Sequence, residues 1–145
     1  MIAVDTNLLV YAHRADSEWH EPALRHLLSL AEGQSRWAIP WPCLHEFLAI
    51  VTHPRIYSPP STPESALASL TAWLDSSRCV PIGEGPGYFD VLRRLVSAGR
   101  VVGGLVHDAR VAAICLHNGI SSLWTADRDF SRFPEVRTLN PLVKA

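Results

Sequence analysis

The alternation of segments along this chain predicts an α/β fold, with a mostly parallel central sheet of four to five short strands flanked by helices. Three observations carry that expectation. Short apolar runs of strand length recur along the sequence. Between them stand longer stretches with helical periodicity, so that successive strands are joined by crossovers and pair in parallel. Acidic residues close the first and the fourth of the runs, at the strand ends where parallel sheets collect ligands.

Taken in order, IAVD (2–5) reads as a buried strand and TNLLVYAHR as a helix beginning just after Asp5. From Ser17 an amphipathic helix repeats Trp19, Ala23, Leu27 and Leu30 at helical spacing, with Gly33 just past its end. RWAIP is the second strand. WPCLHEFLAIVTH is a third helix, with Pro42 suited to its first turn. HPRIYSPPSTP places four prolines in eleven residues and reads as a loop. Thr62 and Pro63 then supply a cap and a first position for a helix over 63–77. CVPI is a strand, and YFDVLRRLVSAG a helix ended by Gly99. GGLVHDARVAAICLHNG is a helix closed by Asn118 and Gly119. SLWTAD is the fourth strand, and VRTL is a candidate fifth.

The length of 145 residues fits one domain spanning 1–145, with a core of ordinary size. The net charge of −1 leaves any phosphate-binding surface to a local patch. Twelve of the 13 basic residues are Arg and the other is Lys144. No lysine is therefore placed for a Schiff base or a P-loop. Three widely spaced Cys in apolar runs read as reduced core residues. With no run of membrane-spanning length, the expectation is a cytoplasmic protein without membrane contact.

The acids carry the chemistry. On a helical wheel at about 100° per residue, Leu105, Val111, Ala112 and Cys115 fall within roughly 60° of Asp108. The carboxylate thus sits amid an apolar face, where an unpaired charge is costly unless it is hydrogen-bonded or bound to a metal. Glu46 lies at the edge of a stripe formed by Cys43, Phe47, Ile50 and Val51, about 40° from Ile50. Asp127 follows the fourth strand and Asp129 comes two residues later, with the Thr125 hydroxyl beside them. Each acid has a plain structural alternative: a strand end at Asp5, an ion pair at Asp108, a boundary glutamate, an Asx-type turn at Asp127. Together they converge on one place, and converging carboxylates raise one another's pKa unless a cation joins them. Oxygen-only ligands favour Mg²⁺ or Mn²⁺ over zinc. Of the seven His, His13, His20 and His26 have no Cys or His at zinc spacing, and the 100° helical step is expected to turn His45 and His107 away from the acids they precede, as surface or boundary residues.

VDTN at residue 5, HEF around Glu46, HDARVAA at Asp108 and TADRDF at Asp127 resemble the four acidic motifs of PIN domains. In spacing and length they are similar to the VapC-type toxins of bacterial toxin–antitoxin pairs, over essentially the whole chain. The resemblance implies a PIN-like fold and a metal-dependent ribonuclease. Asp5, Glu46, Asp108 and Asp127 would form its acidic cluster, with Asp129 available to a second ion. Thr6 and Asn7 would start the helix that holds the site, and Thr125 would support it. The ion would be Mg²⁺, with Mn²⁺ as a substitute, and attack would be by water, leaving 5′-phosphate and 3′-OH ends. The resemblance also implies a small VapB-like antitoxin and a homodimer. Arg14, Arg55, Arg110 and Arg128 are candidates to face RNA phosphates, and single-stranded or loop RNA is the expected substrate because its bases are accessible. Tyr57 is either a base-stacking or a packing residue.

Three other readings compete. One is a PIN-type RNA-processing nuclease without an antitoxin. Another is a PIN domain that only binds RNA or protein, against which all four acidic positions are filled. The third is a receiver-like Mg²⁺ switch, which needs a lysine near its phosphoacceptor.

Overall fold

The computed structural model describes residues 1–143. Five strands form one parallel sheet: β1 (Ile2–Val4), β2 (Trp37–Pro40), β3 (Cys79–Ile82), β4 (Ser122–Trp124) and β5 (Thr138–Leu139). Their spatial order is β3-β2-β1-β4-β5. Six helices flank it: α1 (Thr6–His13), α2 (His20–Glu32), α3 (Trp41–Val51), α4 (Pro63–Leu74), α5 (Tyr88–Gly99) and α6 (Leu105–His117). A 3-10 helix, Arg128–Arg132, follows β4. Every pairing in the sheet is parallel, as the alternation of runs predicts. No helix among the described residues is long and apolar enough to cross a membrane.

The strand order reverses between β1 and β4. From β1 the chain steps outward to β2 and β3, then returns on the other side of β1 as β4 and β5. In an open parallel sheet this reversal leaves a crevice beyond the carboxyl ends of the two central strands. Asp5 follows β1 directly there, while β4 ends at Trp124, short of the SLWTAD run, so that Asp127 lies beyond the strand as the cap of the 3-10 helix. The strands around it are buried: Ala3, Val4, Trp37, Ala38, Ile39 and Leu123 have no exposure. Such unbroken apolar runs are what a sheet covered by helices requires. Pro81 is tolerated because β3 is an edge strand.

The differences from the sequence reading lie at element ends. The helix expected from Ser17 starts at His20, because the Ser17 hydroxyl accepts the Trp19 N–H (3.1 Å) in a local turn. α5 does end at Gly99, as the sequence reading has it. Gly99 itself remains helical, and Arg100 takes the left-handed conformation at φ 49°. The Val101 N–H then reaches back to the Val96 carbonyl (3.1 Å), closing the helix end. β5 is two residues long, shorter than the VRTL run, and both of them are exposed. The Thr62 cap is formed as expected, its hydroxyl accepting the Ser65 N–H (3.1 Å).

Candidate metal centre

Asp5 is positioned by both the strand that precedes it and the helix that follows. Its N–H extends the β1–β4 ladder by donating to the Trp124 carbonyl (3.0 Å). Its side chain caps α1, with Oδ1 accepting the Thr6 N–H (2.8 Å). The Thr125 hydroxyl donates to Oδ2 (2.7 Å), and the Cys43 thiol lies 3.4 Å from Oδ1 as a donor. The residue is only 6% exposed, so a carboxylate here depends on those donors. Burial pushes its pKa up, the hydrogen bonds from Thr125, Thr6 and Cys43 pull it back, and the nearby Glu46 charge adds to the rise.

Thr6, Asn7 and Thr125 tie the centre together. The Thr6 hydroxyl donates to Glu46 Oε2 (3.2 Å), linking α1 to α3. Asn7 Oδ1 accepts the Ala126 N–H (3.1 Å), and its amide donates to Thr125 Oγ1 (3.4 Å). Thr125 Oγ1 also accepts the Asp127 N–H (3.0 Å). One hydroxyl thus donates to Asp5 and accepts twice, which is its full capacity. The exit of β4 is thereby fixed against the start of α1.

Asp108 enters from the first turn of α6, half-buried on the apolar face the wheel assigns to it. Asp127 caps the 3-10 helix, its Oδ1 accepting the Asp129 N–H (2.8 Å). Oxygens of Asp108, Asp127 and Asp129 all lie within 4.8 Å of one another. The two acids of TADRDF therefore stand together beside Asp108, while Asp5 and Glu46 stand outside that close triad. Asp108 is pushed up to about 6, first by burial and then by the charges of Asp127, Asp5, Asp129 and Glu46. Among the described residues, no Arg, Lys or His lies within ion-pair distance of any of the five acids. An all-oxygen donor set with no protein cation fits a hard divalent ion.

Glu46 and Asp108 line a cleft of about 450 Å³ between α3 and α6. His45 and His107 line it too, and both are exposed, as the reading of them as surface residues expects. Arg110 shares the cleft and pairs with Glu84 (2.5 Å), an ion pair that holds Glu84 below and Arg110 above its ordinary pKa. Arg128 lines a second hollow with Asp127, Ser131 and Asn140. Arg55 is exposed in the proline-rich loop. Arg14 is held by Asp16 (2.6 Å) and lies 4.3 Å from the Tyr57 ring centre, so Tyr57 is a packing residue. Arg14 follows α1 at its far end, about 12 Å along the helix from Thr6.

Sequence reasoning missed the contact of Cys43 with Asp5. A signal was present, since Cys43 stands three residues before Glu46 and so shares its side of α3. All three cysteines are free, and burial pushes the Cys43 thiol well above its ordinary range, so it is a neutral donor.

A family model described as the PIN domain matches residues 2–136. The chain belongs to the PIN domain family. The match spans all five acids of the centre. Within the family, the chain is 31% identical over 137 residues to ribonuclease VapC48 of Mycobacterium tuberculosis, covering 94% of each protein. It is 34% identical over 142 residues to ribonuclease VapC43 of the same organism, covering 98% of this chain and 96% of that protein. At these identities and coverages the chain is a PIN domain of the VapC type. The fold is shared with solved structures at lower identity. VapBC2 from Rickettsia felis, bound to a promoter DNA fragment, superposes with a TM-score of 0.69 at 22% identity, covering 96% of this chain and 98% of that one. VapC20 of Mycobacterium tuberculosis, described as a sarcin–ricin loop cleaving toxin, gives 0.63 at 20% identity, covering 90% and 93%.

Proposed function

We propose that this PIN domain is a divalent-metal-dependent endoribonuclease and the toxin of a toxin–antitoxin pair. The observation that carries this reading is the triad of Asp108, Asp127 and Asp129, which gathers three carboxylates without a protein cation. The VapC relatives are named ribonucleases, and a VapBC assembly is among its fold neighbours. The reading includes the whole chain acting as one nuclease domain in the cytoplasm, a homodimer, and a VapB-like partner that covers the cleft.

Asp108, Asp127 and Asp129 would hold the ion, with Asp5 and Glu46 completing its surroundings. The ion is Mg²⁺, with Mn²⁺ as a substitute. When bound it supplies charge stabilisation at a phosphate oxygen and lowers the pKa of a water. The chain's own residues do the positioning. Thr125, Thr6 and Cys43 fix both oxygens of Asp5. Thr6 holds Glu46 Oε2 and leaves Oε1 without a partner among the described residues, where it can orient a water. Asn7 locks the loop that carries Asp127 and Asp129. Attack by water, rather than by a ribose hydroxyl, leaves 5′-phosphate and 3′-OH ends.

The test is cleavage of total cellular RNA by purified, antitoxin-free protein, with Mg²⁺ or Mn²⁺ and with EDTA. Metal-dependent cutting that Asp5→Asn and Asp108→Asn both lose is the expected result. Products ending in 2′,3′-cyclic phosphate would overturn the water mechanism. Folded protein that cuts no RNA with either metal would overturn the nuclease reading.

A further inference from the structure

Trp41, the first residue of α3, is a large aromatic that the core does not use: it is 43% exposed. Its indole is backed by the chain leaving β3, where a Cβ at Gly83 would lie 3.2 Å from Trp41 Cδ1. A glycine there lets the ring lie against the backbone. His45 stands one helical turn further along the same face. The two ring centres are 6.4 Å apart, with their planes tilted by 32°. His45 lines the acidic cleft beside Glu46 and Asp108. A short aromatic ledge therefore leads from solvent to the acids.

We infer that Trp41 and His45 form a stacking platform for an unpaired base of the RNA strand entering the cleft. The inference rests on the ribonuclease reading and deepens it, since a base stacks on such a ledge only when it is free of its own helix. Aromatic side chains bind single strands in this way without reading sequence, because every base presents a π-face. RNA is favoured over a protein occupant by continuity: through His45 the ledge opens into the cleft that holds Glu46 and Asp108. Paired RNA in the A-form buries its base faces within the stack and offers the ledge nothing.

The experiment separates binding from cutting. Affinity of the full chain for a short labelled single-stranded RNA is measured by anisotropy in Ca²⁺, alongside the same strand carrying one abasic position at a time. Trp41→Ala is expected to weaken binding about tenfold, with Trp41→Phe restoring most of it and His45→Ala losing less. One abasic position should cost the wild type a similar factor and cost Trp41→Ala nothing further, which a merely structural role would not produce. Cleavage kinetics should show the loss in KM, with kcat nearly unchanged. Equal binding by Trp41→Ala and wild type would overturn the platform even if RNA is still cut. No binding of single-stranded RNA by the wild type would overturn it as well. Unchanged RNA affinity with lost antitoxin affinity would assign the ledge to a protein contact and overturn it. Failure of the nuclease reading is scored separately, by the absence of metal-dependent cutting.

Discussion

Helix α1 carries a polar cluster at each end, and the two are built on opposite principles. At its carboxyl end His13 meets Ser69 (2.7 Å) and Ser61 (2.8 Å), while Arg14 pairs with Asp16 and covers the Tyr57 ring. Charges there are matched, and the cluster clips the proline-rich loop onto α1. At its amino end Asp5, Glu46, Asp108, Asp127 and Asp129 gather around Thr6, Asn7 and Thr125 with no cation within ion-pair distance of them among the described residues. The first cluster is complete without help. The second is braced by neutral donors and leaves its charge uncompensated, with Asp108 held up to about 6. Matched charge marks structure here, and braced, unmatched charge marks a site.

The sharpest way to break this contrast is Asp108→Asn. Replacing partners that only surround metal ligands costs about 10–100-fold, so loss of a direct ligand should cost about a hundredfold or more in RNA cutting. The same change relieves repulsion among the acids, so metal-free protein should melt at a higher temperature, checked by calorimetry in EDTA. A melting temperature that falls would mean that Asp108 is matched by a cation and that the contrast is false. Next in size is Thr125→Val, which keeps the shape but removes the donor to Asp5 and the acceptor of two N–H groups. It should cost about 1–3 kcal/mol in denaturant unfolding. Metal affinity, followed by titration calorimetry, should drop by about 10–100-fold.

A smaller, graded effect is expected from pH. Asp108 binds its proton more tightly when folded than when unfolded, so between about pH 4 and 6 the folded state holds the extra proton. Its contribution to stability therefore falls as pH rises through that window in the absence of metal. Metal must displace the proton, so Mn²⁺ affinity should weaken by about tenfold per unit below pH 6 and level off above it. An affinity flat from pH 5 to 8 would remove Asp108 from the ion's surroundings. The smallest effect on chemistry belongs to the matched cluster. Arg14→Ala should lower the melting temperature by a few degrees and leave KM for RNA unchanged. A raised KM would return Arg14 to the phosphate-binding residues.

Much of this was legible in the chain itself. The strand runs, the helical stripes, the Thr62 cap and the placing of Asp5 at a strand end follow from local pattern and chain order, whereas Asp127 lies past the end of β4 as the cap of a 3-10 helix. Asp108 on an apolar face follows from helical geometry alone. The relation of Asp127 to Asp129 did not follow, because a 3-10 helix after β4 brings both toward Asp108, and that turn depends on the Asp127 cap and on the Asn7 and Thr125 contacts from far along the chain. A wheel fixes a side chain's direction relative to its own helix and says nothing of the helix across the cleft.

The sequence by itself determined the class of fold, the kinds of group at the site and their order along the chain, because periodicity, capping and strand-end chemistry act over a few residues. Only the tertiary structure decided which of those groups share a centre. The Cys43 thiol on Asp5, the hydroxyl of Thr125 across from the start of α1, and the engagement of Arg14 by Asp16 and Tyr57 are set by ångström-scale distances. In all but the Arg14–Asp16 pair, those distances separate residues remote in sequence. Hydrogen bonds and charges respond to such distances, and it is the packing of α1, α3, α6 and β4 about the sheet reversal that fixes them.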